Sequence, residues 1–262
     1  MQRPGSRVDI CGVYHSVIDY EAALRTFENW IRLREGAHQV CISNVHTTVM
    51  CTQDNELKAI ANNAAMVTID GQPLRWYANL VHQARLEERV CGPELMKRCL
   101  EAGLDKGWRH YFLGGKPEVL EGLCRKLKAT YPGLKIAGGY SPPFKPLSGA
   151  EEAEIAARIN ASGTDFLWVG LGAPKQEKWI ARNLERVNVP VQVGVGAAFD
   201  FLSGNIKRAP VFMQQHGLEW LYRLYQDPRL YKRYLSTNPV FLYMLARDYL
   251  KHAWSGALTK PG

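Results

Sequence analysis

Short apolar runs recur along this chain, each stopped by glycine or a polar turn, and between them apolar residues return every three or four positions. The first pattern predicts strands, the second helices packed by one face. Strand readings fall at 8–17 (a short strand and turn), 40–43, 66–69, 109–113, 134–137, 166–169 and 189–195. Helix readings fall at 20–34, 55–63, 73–83, 94–102, 151–160 and 178–187, with one more after Lys116-Pro117 that runs through Ala129. In 20–34 the inward face is Ala23, Leu24, Phe27, Trp30 and Ile31. Asn44 or Thr47 caps a helix opening in NVHTTVMC, and Ser148 caps the one at 151–160. This alternation predicts an α/β fold with one doubly wound, mostly parallel sheet.

The chain is organised around 165–210. Strand 166–169 stops at Gly170 and runs into GLGAPKQE; strand 189–195 ends in GVGAAFDFLSG, read as a Gly-rich turn. In parallel sheets the loops after the strands line the binding crevice. Here they carry Lys175, Gln176, Glu177 and Asp200, polar groups on small-residue loops. Strand 66–69 is closed by Asp70-Gly71, either a strand-end catalytic acid or an Asx-type turn. Strand 109–113 ends in Gly114-Gly115 before a helix N-terminus, which can hold phosphate but lacks G-x-G-x-x-G and P-loop spacing. The segment 138–143 reads as a loop.

After Pro210 strand signals cease. Residues 211–251 read as two or three helices broken near Asp227-Pro228 and Asn238-Pro239. From Asn205 onward there are nine Lys/Arg and three Asp/Glu, so six of the chain's net +8 charges fall here, among many Tyr and Trp. Arginine with such rings on amphipathic helices suits a membrane interface; the competing reading packs the rings on the sheet under a solvated basic face. Two units follow: a core at 1–210 and a basic, aromatic appendage at 211–262.

At 262 residues with 46% hydrophobic content, one α/β domain plus an appendage accounts for the length. The positive balance fits nucleic acid, anionic lipid or a phosphorylated substrate. No nucleic-acid motif accompanies it, so nucleic acid ranks last. The six cysteines (Cys11, Cys41, Cys51, Cys91, Cys99 and Cys124) form no CxxC pair and read as reduced core thiols of a cytosolic protein. MQRPGSRVDICGV holds no signal-type apolar stretch, and no run of 18 apolar residues spans a membrane.

Several motifs resemble one family. They are Asn44 after a strand, Asp70-Gly71 with Arg89 and Gly92 downstream, FLGG at 112–115, and Tyr131-Pro132 with Gly138-Gly139-Tyr140. GLGAPKQEKW, GVGAAFDFLSG, RAP and GLEWLYRLYQDPRLYKRYL (217–235) follow in order. Together they resemble the WecG/TagA/CpsF bacterial glycosyltransferases, which extend polyprenyl-diphosphate-linked sugars in cell-surface polysaccharide assembly. The resemblance implies a Rossmann-like core, an inverting transfer without metal or other cofactor, and an appendage that meets the inner face of the cytoplasmic membrane. Where the family has Thr two residues before the Asn, this chain has Ile42; Ser43, Thr47 or Thr48 is left to supply the hydroxyl.

Moving a sugar from a nucleotide diphosphate needs a base for the acceptor hydroxyl and counter-charge for the leaving diphosphate. No D-x-D motif is present, so Arg89, backbone N–H groups and helix N-termini are expected to supply that charge. Asp70 is the expected base, and Asn44 orients sugar or base. Gln176 contacts sugar hydroxyls, Asp200 suits a ribose, and Gly114, Gly115, Tyr140 and Thr47 line the substrate cleft. Arg223, Arg229 and Arg233 are expected to hold the lipid diphosphate, with 229 and 233 on one helix face. The expected partners are a UDP-sugar, a polyprenyl-diphosphate sugar and the membrane surface. The sugars, the pathway and any homo-oligomer are left open. The competing functions are a non-catalytic nucleotide- or lipid-binding protein and a nicotinamide oxidoreductase, the latter opposed by the missing glycine fingerprint.

Overall fold

The computed structural model describes residues 5–254. An antiparallel hairpin, β1 (Arg7–Ile10) and β2 (Val13–Ser16), precedes α1 (Tyr20–Leu33). Then come β3 (His38–Ser43), α2 (Val45–Gln53), α3 (Asn55–Asn63), β4 (Met66–Ile69), α4 (Gln72–His82) and α5 (Gly92–Lys106). They lead to β5 (Arg109–Gly114), α6 (Pro117–Thr130), β6 (Lys135–Tyr140), α7 (Gly149–Ala161) and β7 (Phe166–Gly170). The core closes with α8 (Lys175–Asn183), β8 (Val191–Gly194) and a short α9 (Ala198–Ser203).

Strands β3 to β8 form one parallel sheet in the order β4-β3-β8-β7-β5-β6. Successive strand residues point to opposite faces, and both faces are covered. Phe112, Phe166, Trp168 and Val193 pack with α1, α5 and α6 on one side. Tyr111, Leu113, Leu167 and Val169 pack with Trp179 and Ile180 on the other. β3 leaves toward β4 and β5 leaves toward β6, in opposite directions, so a crevice opens over the carboxyl ends of the strands between.

Three local readings are corrected. The Gly138-Gly139-Tyr140 segment continues β6 rather than forming a loop. A Cβ on Gly138 would lie 2.6 Å from the Tyr111 ring, so glycine is what lets the edge strand close on that ring. The GVGAAFDFLSG turn contains helix α9, and Asp200 sits on it. Pro239 does not break the last helix.

The appendage is α10 (Val211–Gln215), α11 (Glu219–Gln226), a 3-10 turn (Pro228–Leu230) and α12 (Tyr231–Trp254). Asp227-Pro228 does break the chain, with Asp227 capping the turn. α12 continues through Pro239 because packing holds the turns that follow it. Phe241 and Met244 lie buried among Ile10, Val49, Ile69, Leu74 and Tyr77. Further along, Tyr77 Oη donates to Asp248 Oδ2 at 2.6 Å. α10 and α11 bury no residue. No described helix is long and apolar enough to cross a membrane.

Candidate active site

A cavity of about 640 Å³ lies over the carboxyl ends of β4, β3, β8 and β7, roofed by α11 and α12. That is the size range of small-molecule and cofactor sites. The sheet sets its first wall. The Asp70 N–H donates to Ser43 O at 2.8 Å, extending the β3–β4 ladder past Ile69, so Asp70 stands at the strand end facing the cavity. Val90 N donates to Ile69 O at 2.9 Å, which brings Arg89 beside it. Arg89 Nη1 donates to Asp70 O at 2.9 Å and lies 3.5 Å from Oδ1. Burial pushes the Asp70 carboxyl up to about 6; Arg89 pulls it down and Glu219 pushes it up. A carboxyl titrating there sits between free acid and neutral pH, where a base works well.

Asn44 caps α2, its Oδ1 accepting from Thr47 N at 3.1 Å and Thr47 Oγ1 at 3.4 Å. Ser43, Thr47 and Thr48 now separate. Ser43 and Thr48 are buried, bonded to each other at 3.3 Å, with His15 Nε2 at 3.0 Å from Ser43 Oγ. Thr47 alone of the three lines the cavity, alongside Ile42.

The second wall is the pair of glycine loops after β7 and β8, including Gly170, Gly172, Gly194 and Gly196. Gln176 joins them. Its Oε1 accepts from Gly172 N at 3.2 Å and Gly196 N at 3.0 Å, while Nε2 donates to Glu177 Oε1 at 2.9 Å. The side chain borders the cavity with its oxygen held by the two loops and one amide N–H held by Glu177. Asp200 also lines the cavity, its Oδ1 accepting from Asn205 Nδ2 at 2.8 Å.

Gly114, Gly115 and Tyr140 are not among the cavity's lining residues. A Cβ on Gly114 would come within 2.7 Å of the Gly170 backbone, and Gly115 N donates to Gly170 O at 3.1 Å. This glycine pair therefore allows two strand ends to close together. Tyr140 is on edge strand β6, under the Arg158 guanidinium 5.2 Å from its ring, because β6 stands at the far end of the sheet.

The third wall is the appendage. Arg223 and Arg233 line the cavity, and neither has a carboxylate partner among the described residues. Arg223 stands 5.5 Å over the Phe201 ring and Arg233 5.9 Å over that of Tyr234. The Arg233 Nε is buried without a hydrogen-bond partner. Burial works against its charge and, with the Arg233 charge, lowers the neighbouring His46 to about 4. Arg229 is elsewhere. It lies on the 3-10 turn, is 90% exposed, and its Nε donates to Asp227 at 2.8 Å. Proline starts that turn, so 229 and 233 share no helix face.

Sequence reasoning missed Glu219, Arg208 and Cys91, all of which line the cavity. Glu219 Oε2 accepts from Arg89 Nη2 at 2.6 Å, and Arg208 Nε lies 3.8 Å from Oε1. Arg208 Nη2 meets the Cys91 sulfur at 3.0 Å. One signal was available: Glu219 is one of three acidic residues in the basic segment. All six cysteines are free thiols. Among the described residues no group of three or more His, Cys, Asp or Glu is placed to hold a metal ion.

A strand-end carboxylate, a glycine-loop wall and unpaired guanidiniums around one cavity suit transfer of a group between anionic substrates. The chain belongs to the Glycosyl transferase WecG/TagA/CpsF family, whose model matches residues 8–255. Among its relatives is the N-acetylglucosaminyldiphosphoundecaprenol N-acetyl-beta-D-mannosaminyltransferase of Bacillus subtilis (strain 168), 32% identical over 196 residues, covering 75% of this chain and 74% of that one. The protein of the same name from Bacillus spizizenii is 33% identical over 184 residues, covering 70% and 69%. That of Staphylococcus aureus (strain MW2) is 29% identical over 188 residues, covering 72% and 71%.

Proposed function

We propose that this glycosyltransferase moves an N-acetylhexosamine-type sugar from a UDP-sugar to a polyprenyl-diphosphate-linked sugar during bacterial envelope polysaccharide assembly. The observation that carries this reading is Asp70, a partly buried carboxylate between a glycine-loop wall and a wall of unpaired arginines. The relatives' names supply the acceptor class, N-acetylglucosaminyldiphosphoundecaprenol, and the mannosaminyl group.

The nucleotide lies along the β7 and β8 loops, with Asp200 toward the ribose. Asp70 takes the proton of the acceptor hydroxyl as its oxygen bonds to the donor's anomeric carbon. The bond from that carbon to the diphosphate breaks on the opposite face, inverting the centre, and UDP leaves. Asn44 and Thr47 orient the acceptor sugar. Arg89, Arg208 and loop N–H groups offset the leaving charge. Arg223 and Arg233 bind the lipid diphosphate, and metal is not required. The exposed apolar and ring side chains of the appendage, among them Phe212, Tyr225, Leu242, Tyr243 and Trp254, settle on the inner membrane surface.

The test is a screen of UDP-sugars against a short-chain prenyl-diphosphate N-acetylglucosamine, with products read by mass and a chelator in one arm. One UDP-sugar extends the acceptor, with or without chelator. In Asp70→Asn, turnover falls about 10²–10⁴-fold while UDP still binds. Turnover within a few-fold of wild type removes Asp70 from the role. A chain that binds UDP and transfers no sugar is a binding protein.

A further inference from the structure

Arginine and carboxylate side by side ordinarily form a two-pronged pair. Arg89 and Asp70 make only a single, long ion-pair contact instead. The Arg89 fork gives its short contact, 2.6 Å from Nη2, to Glu219 on α11. Its other arm is used on the Asp70 backbone oxygen at 2.9 Å, and Asp70 Oδ1 is left at 3.5 Å. We infer that Glu219 is a positioning residue, delivered by the appendage, that limits Arg89 to one long contact with the Asp70 carboxylate and so leaves that carboxylate available as the base. This rests on the reading of Asp70 as the base and extends it to a residue 130 positions away from the Arg89 it holds.

The surroundings support the role. Glu219 is neutralised on both sides, by Arg89 and by Arg208, whose Nη1 is also 3.7 Å from Glu94 Oε2. It is therefore held in place and has no need to abstract a proton itself. The charged and titratable groups facing Asp70 are Arg89, Glu219, Arg208, Arg223, Tyr20 and Cys91. Three are cations that favour the carboxylate; Glu219 is the one acid among them. Burial and Glu219 together keep the proton affinity of Asp70 high against those cations. With α11 displaced, Arg89 would be free to close on Asp70 with both arms, and the base would weaken. The core alone then holds Asp70 in a poorer state than the core with its appendage seated.

The experiment uses the full chain, UDP-N-acetylmannosamine and a short-chain prenyl-diphosphate N-acetylglucosamine. Glu219→Gln keeps an oxygen that can accept from Arg89 and removes the charge. The ¹³C-carboxyl titration of Asp70, assigned by its loss in Asp70→Asn, moves to lower pH by about 1 unit. The acid limb of kcat moves with it, kcat at pH 7.5 falls about threefold, and the deficit narrows as pH is lowered. Glu219→Asp keeps the charge and brings the titration back toward that of the wild type. An Asp70 titration unmoved in Glu219→Gln overturns the proposal, as does a loss of kcat that is the same at every pH. Should Glu219→Gln not fold, Arg208→Gln reads the same circuit from the other side. Removing that cation moves the Asp70 titration to higher pH, and no movement contradicts the proposal. Failure of the base reading is distinct, since Asp70→Asn would then keep its turnover whatever the titration shows.

Discussion

The two sides of the cavity are built differently. On the sheet side, polar groups facing the cavity are already engaged by their own chain. Gln176 spans two loops, Asn44 caps α2, and Asp70 sits at the end of a hydrogen-bonded ladder. On the appendage side, Arg223 and Arg233 lean on aromatic rings and meet no carboxylate among the described residues. The sheet side is held by hydrogen bonds of its own chain. The appendage side keeps positive charge in reserve, and charge kept off protein carboxylates is available to an anion. Glu219 is the exception that joins them, since it crosses from α11 to Arg89.

If this contrast holds, the appendage is attached through α12, which carries Arg233, while Arg223 sits on α11, which buries no residue. Phe241 on α12 is 2% exposed inside the cluster formed with β1, α2 and α4. Phe241→Ala is expected to cost about 3–5 kcal/mol, read as a lowered denaturant midpoint. A loss under about 1 kcal/mol would mean that α12 is not seated as described.

The next expected effect is of opposite sign. The folded Asp70 carboxyl, at about 6, lies above its ordinary 3.8. A raised folded value means that folding costs stability while the group is ionised, above about 6, and that the cost fades as pH falls toward the unfolded value. Asp70→Asn should therefore stabilise the protein by on the order of 2 kcal/mol near pH 7.5, with the gain gone near pH 4. Thermal unfolding across that range checks it. A destabilised Asp70→Asn at neutral pH would show that Asp70 acts mainly as a structural ion-pair partner. The smallest effect belongs to Arg229, exposed and tied to Asp227. Arg229→Ala should leave turnover within about twofold, as exposed pairs contribute little.

Much of the sheet was legible because its strands are buried on both faces, so they read as unbroken apolar runs ended by glycine. Asn44 and Asp70 were legible for the same reason, each being the first polar residue past such a run. Most of the misreadings come from contacts between distant residues. Gly138 and Gly139 look like a turn until the Tyr111 ring is known to lie against Gly138. Pro239 looks like a helix end until Phe241 and Met244 are known to be buried. Tyr140, expected to line the substrate cleft, is put on the outer edge by the strand order. Arg229 was placed by helical spacing that the 3-10 turn interrupts. Glu219 stood out only as one of three acids in a basic segment, because its partner precedes it by 130 residues.

The proposed division of labour puts the donor on the sheet and the acceptor on the appendage arginines. The direct measurement is the double variant Arg223→Ala, Arg233→Ala, assayed for kcat/KM on the prenyl-diphosphate acceptor and, by calorimetry, for UDP affinity. Each hydrogen bond to a charged group is worth about 1.5–3 kcal/mol, so acceptor kcat/KM should fall by about 10²-fold or more while UDP affinity is unchanged. Normal acceptor turnover, or a loss of UDP affinity equal to the loss of kcat/KM, would contradict it.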